Sequence, residues 1–427
     1  MSSVRYLLIL IVCFGFKGLT AQTMPMLPQV AGNQPPKDTI EIPDEVRYTL
    51  DHMLSNWMIR NNASIPCEAE KSVPVVSDSV IMMRLKLMPC VMEMPFNQHV
   101  RSFIDMYTQR RRRQVSYLLG MGDFYFRIFD EVLVKHKLPL ELRYLPVIES
   151  ALNATAVSRV GAAGLWQFML GTGRMYGLEV NSLVDERLDP HKSTHAAAEF
   201  LKDLYEIYGD WHLVIAAYNC GPGNVNKAIR RAGGKRDYWA IYPFLPRETR
   251  GFVPIFIAAN YAMHYAHAHG ICKAEIDYPR TMDTVVVHQR LHFEQIAAVL
   301  NVPLDHLRLL NPQYKLNIIP GDIKPYAVVL PLYMTGRFID KLDEIAAYKA
   351  DSLINKRREY VTPSGSQTAA VSASHSGRGN VSYHTVKRGQ TLGGIAARYG
   401  VSVKKIKQWN NISGTMIREG QKLKIIK

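Results

Sequence analysis

Glu149 closes the apolar run Leu145-Pro146-Val147-Ile148, so its carboxyl stands where desolvation favours the protonated form. An acid that gives up a proton near neutral pH needs that setting, with polar groups nearby to hold a substrate against it. Two downstream turns can supply them. Gly161-Ala162-Ala163-Gly164 allows close backbone approach and leads into Leu165-Trp166-Gln167-Phe168, an aromatic wall with an amide. Ala217-Tyr218-Asn219-Cys220-Gly221 brings a phenol and a second amide, ahead of Pro222-Gly223. Taken alone, the first is a loop with a packed Trp and the second a helix-ending turn. Their order behind one acid is the specific signal, and Ser150 stands next to that acid.

The elements that must position these groups read as helices. Pro139 can open a helix running to Ser150 with Leu142, Leu145 and Ile148 inward, and Ala196–Tyr208, Leu213–Tyr218 and Val253–His269 continue the pattern. Strand signals are nearly absent, so 138–270 is expected to be a compact helical domain. Upstream, 41–137 is helical in pattern, with Val46, Leu50, Met53, Leu54 and Trp57 at spacings of three and four. Phe96–Tyr107 and Val115–Val134 read as further helices, broken near Gly120–Gly122. The run Arg110–Arg113 reads as a solvated helix face, or as a contact for anionic polymer or lipid.

After Ile276 the texture changes. Val285-Val286-Val287, Phe293–Leu300, Leu304–Leu310 and Ala327–Leu330 read as strand, helix, helix, strand within 283–332. The order recurs in 382–427 with His384-Thr385-Val386, Leu392–Tyr399, Val403–Trp409 and Leu423–Ile426. Phe293–Val302 aligns with Leu392–Val401, and Leu307–Asn311 with Ile406–Asn410, which points to tandem small modules. Between them, 356–381 reads as a linker, since Thr362–Asn380 is too rich in Ser, Ala, Gly and Thr to fold.

Composition bounds the setting. A chain of 427 residues at 47% hydrophobic content has room for several cores. Arg5, the apolar run Tyr6–Phe16 and Leu19-Thr20-Ala21 suit a secretory signal at 1–21, followed by a Pro-, Gln- and Asn-rich tether at 22–40. That apolar run is short of the roughly 20 residues a membrane span takes. Cys13 follows Val12, which is bulky where lipoprotein processing wants a small residue, so export to the periplasm or cell envelope is expected without a lipid anchor. Of the remaining cysteines, Cys67 and Cys90 are candidates for a disulfide, and none has metal-ligand spacing. No metal or cofactor is expected. The net charge of +15 draws the chain to polyanions, and an exported protein meets an acidic wall or membrane surface rather than nucleic acid.

The motif set resembles the soluble lytic transglycosylase domain, a goose-type-lysozyme-like fold that cleaves peptidoglycan. Glu149-Ser150 match its Glu-Ser motif, Gly164–Phe168 its Gly-Leu-Met/Trp-Gln motif, and Ala217–Gly221 its Ala-Tyr-Asn-x-Gly motif. Val184-Asp185-Glu186-Arg187, Asp189-Pro190, Ser193-Thr194, Gly209-Asp210-Trp211 and Leu245–Arg250 are similar to the membrane-bound lytic murein transglycosylase D subgroup. Phe252 stands where the subgroup's Glu-Thr-x-x-Tyr-Val-Pro pattern has Tyr. The two C-terminal copies resemble LysM modules, which bind N-acetylglucosamine-containing glycan. Thr385–Leu392 lies near the usual Val-x-x-Gly-Asp-Thr-Leu start, whereas Arg290-Leu291-His292 replaces Gly-Asp-Thr in the first copy and argues against strong binding there.

The resemblance implies a mainly α fold: a lysozyme-like catalytic domain followed by small α+β (βααβ) modules. It implies Glu149 as catalytic acid, then base, with closure of the muramyl 6-hydroxyl onto C1 to leave a 1,6-anhydro end. Ser150, Gly164, Gln167, Phe168, Tyr218 and Asn219 become the expected substrate contacts. Tyr261 is the candidate for a family tyrosine that organises the acid from the last domain helix. Ordinary glycosidases use two carboxylates, and no second acid with a matching motif accompanies Glu149. Two other readings stand beside this one: a lysozyme that uses water, and a wall-binding scaffold without activity.

Overall fold

Helices α1 (Asp78–Leu87) and α2 (Gln98–Asp105) lead through a π-helical turn at Met106–Arg110 into α3 (Arg112–Lys135). α3 buries Val115, Leu118, Met121, Tyr125, Phe129 and Val132, three or four apart, so one stripe of the helix faces the core. The break expected near Gly120–Gly122 does not occur. Gly120 instead admits a neighbouring segment, because a Cβ there would lie 2.5 Å from the carbonyl oxygen of Ala274. The arginine run departs from a solvated face at Arg112. That side chain is buried and donates to the carbonyls of Thr108, His269 and Gly270, tying the far end of the helical region back to α3.

The computed structural model describes residues 74–279 and 281–354 and, within 381–426, all but 388, 389, 400, 402, 413, 415 and 416. All of them fall in one compact unit, Glu41–Lys427. The leader, the tether, the helix expected around Val46–Trp57 and the Thr362–Asn380 linker lie outside the described residues. Among the described residues no helix is long and apolar enough to cross a membrane.

The helix expected from Pro139 to Ser150 is split into a 3-10 turn, Leu140–Tyr144, and α4, Leu145–Ser150. Pro146 lies in the first turn of α4 and has no N–H to donate to a preceding turn, which explains the split. Then come α5 (Leu170–Met175), α6 (Pro190–Tyr208), α7 (Trp211–Cys220), α8 (Pro222–Arg231), α9 (Tyr238–Ile241), α10 (Arg247–Arg250) and α11 (Phe252–His264). Side-chain caps set the joints: Asp189 accepts from the N–H groups of His191 and Lys192, and Asp210 from that of Leu213. α11 is buried on nearly every side and packs against α2, α4 and α7. The described residues from 138 to 270 contain isolated bridges and no strand, so the fold is mainly α as expected.

In the next module β1 (Met282–Val287) pairs antiparallel with β4 (Tyr326–Pro331), with Val285 opposite Val328. Between them lie β2 (Arg290–His292), α12 (Phe293–Leu300), α13 (Leu304–Leu310) and β3 (Ile318–Pro320), with β2 and β3 paired. Three helices the sequence did not suggest, α14 (Leu332–Asp340), α15 (Leu342–Ala347) and α16 (Ala350–Leu353), follow β4. The last module has β5 (Val381–Thr385), α17 (Leu392–Tyr399), α18 (Val403–Asn410) and β6 (Lys422–Ile426), with β5 antiparallel to β6. The aligned asparagines do the same work in both copies. Asn311 exchanges two 2.8 Å hydrogen bonds with the backbone of Val329, and Asn410 exchanges two with Lys424.

One cysteine assignment differs from expectation. Cys90 is a free thiol that donates to the carbonyl of Met88, so it is not the partner of Cys67. Cys272 is disulfide-bonded.

Candidate active site

α4 delivers Glu149 and then stops on two buried residues, Ala151 and Leu152, with φ of 51° and 58°. L-residues pay about 1–2 kcal/mol each for that left-handed conformation. The cost is met by burial and by the N–H of Leu152, which caps the helix on the carbonyl of Pro146 at 3.1 Å. Glu149 is thereby held at the wall of a groove of about 1820 Å³, partly open to it. Burial pushes its pKa up to about 8, so the carboxyl is mostly protonated at neutral pH.

The loop after α4 folds back beside the acid. Ser150 is fully buried, and its hydroxyl lies 3.1 Å from the carbonyl oxygen of Pro146 and 2.9 Å from that of Leu165. It ties the end of α4 to the loop and does not face the groove. Gly164 also stays out of the groove: at φ 84° its absent Cβ would lie 1.9 Å from the carbonyl oxygen of Arg187. Trp166 is fully buried, edge-on to Phe129, with its indole N–H donating to Thr194 at 2.9 Å.

Gln167 and Phe168 line the groove. The Gln167 amide nitrogen donates to the carbonyls of Gly164 at 2.8 Å and Ala156 at 3.3 Å, which leaves its oxygen as the group to offer a ligand.

α7 contributes Tyr218 and Asn219 to the groove. The Tyr218 hydroxyl donates to the carbonyl of Trp166 at 2.7 Å, joining α7 to the loop. Burial first, and then the neighbouring Glu149 charge, hold its pKa well above the ordinary phenol value. Asn219 accepts at Oδ1 from the buried Thr249 hydroxyl at 2.9 Å, so its NH2 group is left as the donor to a ligand. Thr249 stands in the quoted Leu245–Arg250 stretch, but its positioning of Asn219 was not legible there.

Tyr261 does not join the site. It is buried in α11, with its hydroxyl 3.2 Å from Arg84 and 3.0 Å from His269, and it is absent from the groove wall. Phe252, one residue into the same helix, lines the groove instead. Cys220 also lines it, and burial raises its thiol pKa, which opposes thiolate chemistry.

Sequence reading missed three groove carboxylates, Asp203, Glu206 and Glu248. Asp203 accepts from the Tyr176 hydroxyl at 2.9 Å, Glu206 pairs with Lys407 at 3.3 Å, and Glu248 is exposed. Gln390 to Gly394 of the last module line the same groove, and Met175 packs on that module's core.

The Transglycosylase SLT domain family profile matches residues 129–241. The profile of the Lytic transglycosylase MltD, LysM-like domain matches 281–347, and that of the LysM domain matches 384–425. Helical domain and modules together therefore define a lytic transglycosylase domain joined to LysM-type modules. Membrane-bound lytic murein transglycosylase D of Escherichia coli K12 is 31% identical over 340 residues, 78% of this chain and 70% of that protein. The chain belongs to the membrane-bound lytic murein transglycosylase D family. The soluble lytic murein transglycosylase of the same strain is 34% identical over 128 residues, 29% of this chain and 20% of that protein. The crystal structure of the 70 kDa soluble enzyme from Escherichia coli aligns over 34% of this chain and 25% of that one, at 27% identity and a TM-score of 0.30.

Proposed function

We propose that this lytic transglycosylase cleaves the bond between N-acetylmuramic acid and N-acetylglucosamine with Glu149 as its single proton-transfer group. The observation that carries the reading is a carboxyl with its pKa raised to about 8 at the wall of a groove that two amides and a phenol also line. Glu149 protonates the glycosidic oxygen as the C1–O bond breaks, and the sugar's N-acetyl group stabilises the cation. The carboxylate then takes the proton of the muramyl 6-hydroxyl as that oxygen bonds to C1. The acid is restored, no water is consumed, and a 1,6-anhydro end results. A group poised near its working pH can serve in both directions.

Asn219 donates to substrate carbonyls, and Gln167 accepts from hydroxyls or amides, because the other half of each amide is already engaged. Phe168 gives the sugar an apolar wall. Ser150 and Gly164 act through the backbone they fix. The last module holds glycan that contains N-acetylglucosamine. Residues 1–21 direct export to the periplasm, and the charge of +15 favours anionic wall or membrane surfaces.

The experiment compares wild type with Glu149→Gln on purified peptidoglycan, with mass spectrometry of the released muropeptides. Anhydro products from wild type and none from the variant support the assignment. Unchanged release by the variant removes Glu149 from the reaction. The leader is checked by sequencing the exported protein, which is expected to begin at Gln22.

A further inference from the structure

The first LysM-type module is built into the helical domain. The residues that open the binding loop of an intact copy are here used for packing: Leu291 is fully buried, and His292 caps α12 in a reciprocal box with Gln295. Gln295 in turn donates to the carbonyls of Ala346 and Tyr348, at α15 and just beyond it. This seals that side of the module with helices.

Its other side grips the segment Glu179–Arg187. Leu183 and Val184 are buried in the module's own core. Backbone hydrogen bonds run from Asp185 N to Gln313 O at 2.9 Å and from Lys315 N to Leu183 O at 2.8 Å. The Lys315 ammonium donates to the carbonyl of Asn181 and stands 3.9 Å from Asp185, while Lys324 and Tyr326 both reach Glu179.

What is gripped continues to the groove. Asp185 and Arg187 form a buried two-point pair, Nε to Oδ1 at 2.9 Å and Nη2 to Oδ2 at 2.8 Å. The remaining terminal nitrogen, Nη1, donates to the carbonyls of Gly161 at 2.8 Å and Phe168 at 3.0 Å. Those two carbonyls bracket the loop that carries Gln167 and that receives Ser150 from the end of α4. Gly164 also closes on the carbonyl of Arg187.

We infer that Asp185 and Arg187 are positioning residues, and that the first module, through Lys315 and Gln313, holds them so that the Gln167–Phe168 wall stays fixed against Glu149. The module thus serves the catalytic groove as a buttress in place of binding glycan. The inference rests on the proposed reaction at Glu149. A misplacement of about 1 Å at such a wall can cost about a hundredfold in rate, so a remote clasp is enough to matter. Arginine is needed because its planar fork reaches a carboxylate and two carbonyls at once, which an ammonium does not.

The test measures kcat and KM on peptidoglycan for full-length wild type, Arg187→Ala, Arg187→Lys and Lys315→Met, with hydrogen exchange at residues 161–168. Arg187→Ala is expected to lower kcat about tenfold to a hundredfold with KM within about twofold, and Arg187→Lys to recover part of the loss. Lys315→Met, outside the groove, is expected to lower kcat about threefold and to speed exchange at Ala163 and Phe168. Variants that are folded and match wild type in kcat and in exchange overturn the inference. If Arg187→Ala does not fold, Lys315→Met decides, and unfolding of Lys315→Met as well would reduce the clasp to bulk stability and overturn it. Absence of anhydro products from wild type would instead defeat the proposed reaction, so the two failures are distinct.

Discussion

Among single residues, the proposed reaction turns on a carboxyl held out of water. Because its folded pKa, about 8, exceeds the ordinary 4.5, charging Glu149 opposes folding. The stability present below pH 4.5 is lost as pH rises through the window up to about 8, and is constant above it. Glu149→Gln is therefore expected to be more stable than wild type at pH 8, with the gap closing on acidification, as denaturant melts across that range will show. The same variant should lose about a hundred- to ten-thousandfold in turnover. For wild type, kcat/KM should fall about tenfold per pH unit on the alkaline side of about 8, where the proton is gone. Thr249→Val frees the Asn219 amide and is expected to lower kcat/KM by up to about tenfold, with about 0.5–1.5 kcal/mol of stability lost. Glu149, Gln167, Phe168, Tyr218 and Asn219 were legible in the sequence as side chains of one groove, and their roles there belong to the proposed reaction. Ser150 and Gly164 were legible as positions, but their work is on the backbone, and only the fold reveals it. Tyr261 was misplaced because nothing in the sequence shows that Arg84 and His269 occupy its hydroxyl.

Among the elements, the site depends on how α4 ends and how the loop after it returns. The helices of the catalytic region were readable from apolar spacing, whereas the split at Pro146 and the continuity of α3 through Gly120 were not. Both depend on neighbours, a preceding turn in one case and the Ala274 carbonyl in the other. Gly164→Ala tests the loop. Left-handed backbone costs about 1–2 kcal/mol and overpacking about 1–3 more, so roughly 2–5 kcal/mol of stability should be lost in denaturant melts. Trp166→Ala empties a fully buried site between α3 and α6 and is expected to cost about 3–5 kcal/mol in the same measurement.

For the whole molecule, the two C-terminal copies have diverged in use. Internal repetition disclosed both, and Asn311 and Asn410 confirm a shared plan. Packing against Leu183 and Val184 separates one as a buttress, which the repeat pattern alone did not reveal. The last copy stands beside the groove through Lys407 and Glu206. Ending the chain at Ile354 should release the enzyme from insoluble peptidoglycan and slow its digestion about tenfold to a hundredfold; pelleting and product assays check this. The central claim, one acid that becomes its own base without water, is tested most directly by digesting peptidoglycan in heavy-oxygen water and weighing the new muramyl ends. Anhydro ends that carry no heavy oxygen are expected. Reducing ends that carry it would show a hydrolase, with water in place of the 6-hydroxyl.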